Sequence, residues 1–310
     1  MTRPLLTAPA GFAPSVVDKA ERLLEVLSAL HEDPFLGGVF LLHGGTALNL
    51  FHDRLPRLSV DIDLMFVGAV DLDGMKAMRP EVDARFREVV GALGYAVQGT
   101  NEEHSGQTYR VKYPGNYVKV DVSYLARVAL LEPEVLTCGF ADPPVSFSVL
   151  QRAELVGGKV KAVMERVVAR DLFDLYRLSL QMPALFDDPL ARAVVQRAVC
   201  TADPFPSMSS PVEALKRFQP WLPEFAESLS AMLRSGESPD HALMLERISR
   251  WLADLEPRSV AEADFAESLV DHAEYRPELL FAEWPDVLER ARIDPVMAWK
   301  VQNLAARPRA

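Results

Sequence analysis

Two short segments of strict alternation constrain this chain more than any other feature. Between residues 59 and 67, Ser59, Asp61 and Asp63 alternate with Val60, Ile62 and Leu64. Between residues 117 and 123, Lys119, Asp121 and Ser123 alternate with Val118, Val120 and Val122. A period of two is that of a strand with one buried face, so each segment predicts a strand whose open face carries carboxylates. Asp61 and Asp63, two apart, point the same way at roughly 7 Å between Cα atoms. If the two strands are neighbours, Asp121 becomes a third acid beside them. Three like charges in one place repel one another, and a hard divalent cation removes the conflict. Mg²⁺ on Asp61, Asp63 and Asp121, with Mn²⁺ as an alternative, is the resulting expectation. The competing reading is an ordinary half-exposed sheet in which Lys119 pairs with an acid.

The surrounding pattern fills in a fold. Ser15 to Leu30 has helical periodicity with Ser15 as the expected N-cap, and Val39 to Leu42 reads as a buried strand closed by Gly44-Gly45. Thr46 to Phe51 and Glu81 to Leu93 are expected helices, and Tyr95 to Gln98 a strand. Gln107–Lys112 and Tyr117–Tyr124 form an expected hairpin across Pro114-Gly115-Asn116. A Pro-rich break follows at Asp142-Pro143-Pro144, and from Gln151 onward the strand signal fades. Glu154 to Leu180 then reads as one long helix, followed by short helical stretches between prolines. The expectation is an α+β fold: a small mixed sheet with helices over residues 1–185, then an all-helical region over residues 186–310.

Charge and cysteine usage narrow the function classes. A net charge of −11 excludes a bulk electrostatic coat for nucleic acid, because each phosphate contact needs a cation. Cys138 and Cys200 have no metal-ligand spacing, which excludes a disulfide scaffold or zinc finger and fits a reducing cytoplasm. No apolar run is long enough to span a bilayer, and no signal-type core follows Arg3, so no membrane partner is expected. His31, His43, His52, His104, His241 and His272 show no ligand spacing and are assigned no chemistry.

Two further groups carry chemistry. His43-Gly44-Gly45-Thr46 sits at a strand-to-helix turn, where glycines let the backbone approach a phosphate. On a continuous helix, Arg166, Arg170 and Asp174 fall within about 60° of Lys159. That face is either a salt-bridged surface or a set of cations turned towards nucleotide phosphates.

With these residues in place, Gly44-Gly45-Thr46 followed by Ser59-x-Asp61-x-Asp63 resembles the opening motif of polymerase-β-type nucleotidyltransferases. Lys159-x-x-Ala162-x-x-x-Arg166-x-x-x-Arg170-Asp171-x-x-Asp174-Leu175 resembles the AbiEii/AbiGii toxin family, to which the MenT toxins belong. The resemblance spans about residues 41–178. It implies a Mg²⁺-dependent nucleotidyltransferase toxin of a bacterial toxin–antitoxin or abortive-infection system, with an antitoxin encoded nearby. Asp61 and Asp63 would ligate metal, and Asp121 would be a third carboxylate able to act as a base. Gly44, Gly45, Thr46, Ser59, Lys159, Arg166, Arg170 and Asp171 would serve the nucleotide, with Asp174 a further essential acid. Ser59 stands where some relatives carry a modifiable serine.

Thr46 stands where many relatives have serine, and Gly157-Gly158 directly before Lys159 is unusual inside a helix. Either the helix starts near Lys159 or the glycines admit a substrate. The acceptor that fits the resemblance is the 3′ end of tRNA, whose extension would stop translation. A protein side chain or small molecule as acceptor, and a non-catalytic binding partner, are the alternatives.

Overall fold

The structure is a computed structural model and describes residues 2–103 and 105–306; His104 lies outside them. Packing divides the chain into two units, residues 1–151 with 230–237, and residues 152–229 with 238–310.

The first unit is built on the two alternating strands. In chain order its elements are β1 (Leu5–Leu6), α1 (Pro14–Glu32), α2 (Leu36–Val39), β2 (Phe40–His43), α3 (Gly44–Thr46), β3 (Asp61–Phe66), α4 (Leu72–Ala92), β4 (Ala96–Glu103), β5 (Gly106–Tyr113), β6 (Asn116–Ser123), β7 (Glu134–Cys138), β8 (Ala141–Asp142) and β9 (Val145–Val149). Residues Ala47–His52 continue α3 as a π-helical turn. The main sheet is mixed, in the order β4-β5-β6-β3-β2-β9-β7. β3 runs parallel to β6 and antiparallel to β2. The α+β class expected from the sequence is therefore the one observed.

Alternation does the positioning. Val118 and Val120 are fully buried and Val122 nearly so, as are Ile62 and Leu64. Their apolar side chains leave water under α1 and α4, where the rings of Phe86 and Tyr109 stack at 4.3 Å. The opposite face is left half-exposed. α1 begins at Pro14, whose fixed φ suits the first helical position, and Ser15 is not its cap. α4 starts well before Glu81, at a cap where Asp71 accepts from Gly74 N at 2.7 Å, and it runs through Pro80. β7, β8 and β9 fall on either side of the Pro143-Pro144 break and all end before Gln151, where the strand signal fades. β9 enters the sheet beside β2.

The second unit is helical. It begins with α5 (Arg152–Glu165), α6 (Ala169–Gln181) and α7 (Pro189–Thr201), and runs through shorter helices to Pro295–Ala305. The single helix expected over 154–180 is a helical hairpin: residues 166–168 are non-helical and Val168 is extended (φ −135, ψ 127). Two β-branched valines there make an extended break cheap. The glycine pair lies inside α5 and does not start it, and Gly158 is exposed with nothing within 4 Å of a Cβ placed on it. Gly157 is buried in α5, and a methyl on it would lie 2.8 Å from Ala198 Cβ on α7. The missing side chain lets two helices approach closely. For the same reason α5 and α6 group with the helices, so the division falls at residue 151 and not at 185.

Candidate active site

In the first unit, β3 and β6 pair with Asp63 opposite Asp121 and Asp61 opposite Lys119. On adjacent parallel strands such partners share a face at about 4.8 Å between strands. On the other side of β3, Asp63 is the register partner of His43. A cleft of about 300 Å³ opens over this row, lined by His43, Asp63, Gln107, Thr108, Asp121 and Ser123 among others. Asp121 Oδ1 accepts from Thr108 Oγ1 at 2.6 Å, and Asp121 Oδ2 pairs with Lys119 Nζ at 2.5 Å. The Lys119–Asp121 pair is the one that the ordinary-sheet reading calls for. Asp63, by contrast, has no ion pair among the described residues.

The glycine turn packs directly on these acids. Gly44 has φ +71, and a methyl on it would lie 2.1 Å from Asp63 Oδ2. Only glycine tolerates both the backbone angle and the proximity. A Gly44→Ala variant is expected to displace Asp63 and to cost both stability, by about 1–3 kcal/mol, and activity. Thermal unfolding with a transfer assay checks it; a variant with wild-type melting and wild-type rate would contradict the placement.

Gly45 faces Ser59 Oγ and the Arg57 guanidinium, at 3.1 and 2.8 Å from where its Cβ would be. Ser59 is only 6% exposed, so modifying its hydroxyl requires local opening. Thr46 departs from expectation: it is fully buried and donates its hydroxyl to Asp61 O. It ties the turn to β3 and does not present the hydroxyl to a ligand.

The second unit gathers the motif on α5 and α6. Lys159 Nζ lies 3.0 Å from Asp171 Oδ1 and 2.7 Å from Asp174 Oδ2. Arg166 Nε, from the break between the helices, lies 2.8 Å from Asp171 Oδ2. Asp171 is fully buried, Asp174 and Lys159 nearly so, while the Arg166 side chain is half-exposed. Burial pushes the Asp171 carboxyl up, but the Lys159 charge and the Arg166 hydrogen bond outweigh it and hold the group below the usual carboxylate range. Asp171 is thus an internal counter-ion with no open side for a nucleotide, a correction to its expected role. Arg170 is half-buried on the first turn of α6.

The donors suit a hard divalent cation. Asp63 and Asp121 offer carboxylate oxygens on one half-open face, the Asp63 carboxylate lying against Gly44. Among the described residues no three His, Cys, Asp or Glu side chains form an all-protein cage. Mg²⁺ needs none, since one or two carboxylates and substrate phosphates commonly complete its shell.

Sequence reasoning placed Lys119 beside Asp121 but missed His43 and Thr108 as neighbours of the acids. Their only signal was register, which pairing reveals and spacing within one strand does not.

A mixed sheet with paired acids beneath a glycine turn, followed by a helical unit, defines the nucleotidyltransferase class of fold. The chain matches the model of the nucleotidyl transferase AbiEii toxin family, type IV toxin–antitoxin system, over residues 25–278, and it belongs to that family. It is a nucleotidyltransferase. Among solved structures it is similar to MenT4, a nucleotidyltransferase toxin from Mycobacterium tuberculosis H37Rv, with TM-score 0.61 and 18% identity over 90% of this chain and 93% of that one. That likeness concerns the fold. A CdnC:HORMA-deltaN complex from E. coli MS115-1 is matched at TM-score 0.28 and 14% identity, over 93% and 94% of the chains. No curated protein matches the chain. No helix among the described residues is long and apolar enough to cross a membrane.

Proposed function

We propose that this toxin transfers a nucleotide from a nucleoside triphosphate to the 3′-terminal hydroxyl of an RNA, and of tRNA in particular, so halting translation. The observation that carries the chemistry is the Asp63–Asp121 register on an open sheet face beneath Gly44. Asp63 and Asp121 would hold the divalent cation, Mg²⁺ or Mn²⁺, with Asp61 on the same face of β3 as the register partner of Lys119, at a place where the Lys119 ammonium now neutralises Asp121. Bound there, the cation supplies Lewis-acid stabilisation of charge on the transferring phosphoryl oxygens.

Gly44 and Gly45 let the backbone approach the phosphates. Asp121 takes the proton of the attacking hydroxyl. The acceptor oxygen–Pα bond forms, the Pα–O–Pβ bond breaks, and pyrophosphate leaves. The resemblance also assigns Lys159 and Arg170 to nucleotide phosphates; in the second unit Lys159 Nζ is held between Asp171 and Asp174. The tRNA acceptor and a neighbouring antitoxin that restrains the enzyme rest on family resemblance.

Purified protein incubated with each labelled nucleotide, total RNA and lysate tests the acceptor. Label is expected in an RNA of tRNA size. Label in a protein band with none in RNA would overturn the tRNA assignment and leave the transferase chemistry in place.

A further inference from the structure

The sequence offers one obvious basic cluster, between Arg152 and Arg177, yet the structure ties Lys159 and Arg166 from it to buried acids. A second cluster is invisible in the sequence and appears only through strand register. On β5 and β6, Arg110 lies opposite Lys119, and Lys112 lies opposite Tyr117. Thr108 lies opposite Asp121 in the same alternation, so Thr108, Arg110, Lys112, Tyr117, Lys119 and Asp121 share one face. The Tyr117 ring gathers the cations: Arg110 lies 5.1 Å from its centroid and Lys19 Nζ, from α1, 5.3 Å.

Arg110 and Lys112 are exposed and have no ion pair among the described residues. Their register partners on β4 are Gln98 and Ala96, so no acid stands opposite them on that strand. In a chain of net charge −11, Arg110 and Lys112, with Lys19 of α1 beside Tyr117, make this end of the face locally positive, while Lys119 pairs with Asp121 at its other end.

We propose that this strip is a track for the phosphate backbone of a nucleic-acid acceptor strand, deepening the reading of the acids as a nucleotidyl-transfer site. The strip ends at those acids. Lys119 is two residues and Tyr117 four residues from Asp121, about 7 and 13 Å along a strand. Thirteen ångströms is about four nucleotides at 3.4 Å per step along a strand. A strand lying on the cations therefore delivers its terminus to Asp121 and Asp63, while its upstream phosphates meet Lys119, Arg110 and Lys112. Such contacts position the chain without reading its bases. An acidic protein would also feel the charge, but nothing in an acidic protein requires the cations to lead into the acid row.

The test compares wild type with Arg110→Glu/Lys112→Glu, both exposed substitutions, in the full chain. A single-stranded RNA oligonucleotide with a free 3′ end is titrated at several salt concentrations. The double variant is expected to bind at least about tenfold more weakly, equally for different base sequences. Its log–log salt slope should fall by about 1.4, two contacts at about 0.7 each. The acceptor KM rises in step, while the KM for nucleoside triphosphate is unchanged. Unchanged RNA affinity in the double variant would overturn the track, as would polyglutamate of equal charge binding as tightly as RNA. Asp63→Asn, which removes transfer and leaves the strip intact, is expected to keep wild-type RNA affinity. The track and the catalytic reading therefore fail independently.

Discussion

Asp63→Asn is expected to slow nucleotidyl transfer by roughly 10³-fold, the several kcal/mol that a correctly held metal contributes to a phosphoryl transition state. Asp63 is singled out from the other acids by three facts. Its Cα is in register with Asp121 on one side and His43 on the other, and its carboxylate lies against Gly44. The substitution removes a charge while keeping the shape. It also removes a like charge beside Asp121, so the melting temperature should stay level or rise slightly. Parallel measurement of melting and of nucleotide incorporation decides the matter. A variant that folds as wild type and retains more than a tenth of its rate would remove Asp63 from the metal site.

Lys159→Met is expected to be the most destabilising single change in the helical unit, by about 3–5 kcal/mol, because it leaves Asp171 and Asp174 buried without their shared cation. The partners are named by geometry: 3.0 Å to Asp171 Oδ1 and 2.7 Å to Asp174 Oδ2, with Asp171 fully buried. Loss of activity in this variant alone would thus mix folding with chemistry. Lys159→Met/Asp174→Asn separates them: the double change should recover much of the stability and none of the rate, by denaturant unfolding and transfer assays together. Equal instability of the single and double variants would contradict the ion network.

The network also sets an acid limit. Asp171 is held below the usual carboxylate range, so it binds more protons unfolded than folded. Its contribution is complete above about pH 4, the unfolded value, and is lost as pH falls through the depressed folded value. Asp171→Asn should flatten the stability profile in that acid window.

How far these residues were legible follows from the kind of pattern each one makes. Alternation in a strand is local, so the acids of β3 and β6 and their shared outward face could be read from the sequence. Which strand lies beside which is non-local. The Asp63–Asp121 pairing was only a condition, and Thr108, His43 and the Arg110–Lys112 strip had no local signal, whereas Lys119 shared the alternation of Asp121. The helix motif shows the opposite case. A continuous helical wheel groups Lys159 with Arg166, Arg170 and Asp174 but puts Asp171, twelve residues on, about 120° from Lys159. The break at 166–168 folds the segment back, and Asp171 meets Lys159 and Arg166 directly. Two adjacent valines are too weak a stop signal to set against strong periodicity on both sides. Likewise Gly157 could be explained only once Ala198 of α7 was seen against it.

The central claim is that the acids of β3 and β6 serve nucleotidyl transfer, with attack at the α-phosphate. Incubation of wild type and Asp63→Asn with RNA and a nucleoside triphosphate labelled either at the α- or the γ-phosphate tests it most directly. Wild type should place the α-label, and none of the γ-label, on the acceptor, with the γ-label released as pyrophosphate, and Asp63→Asn should do neither. Transfer of the γ-label, or α-label transfer undiminished in Asp63→Asn, would contradict the account.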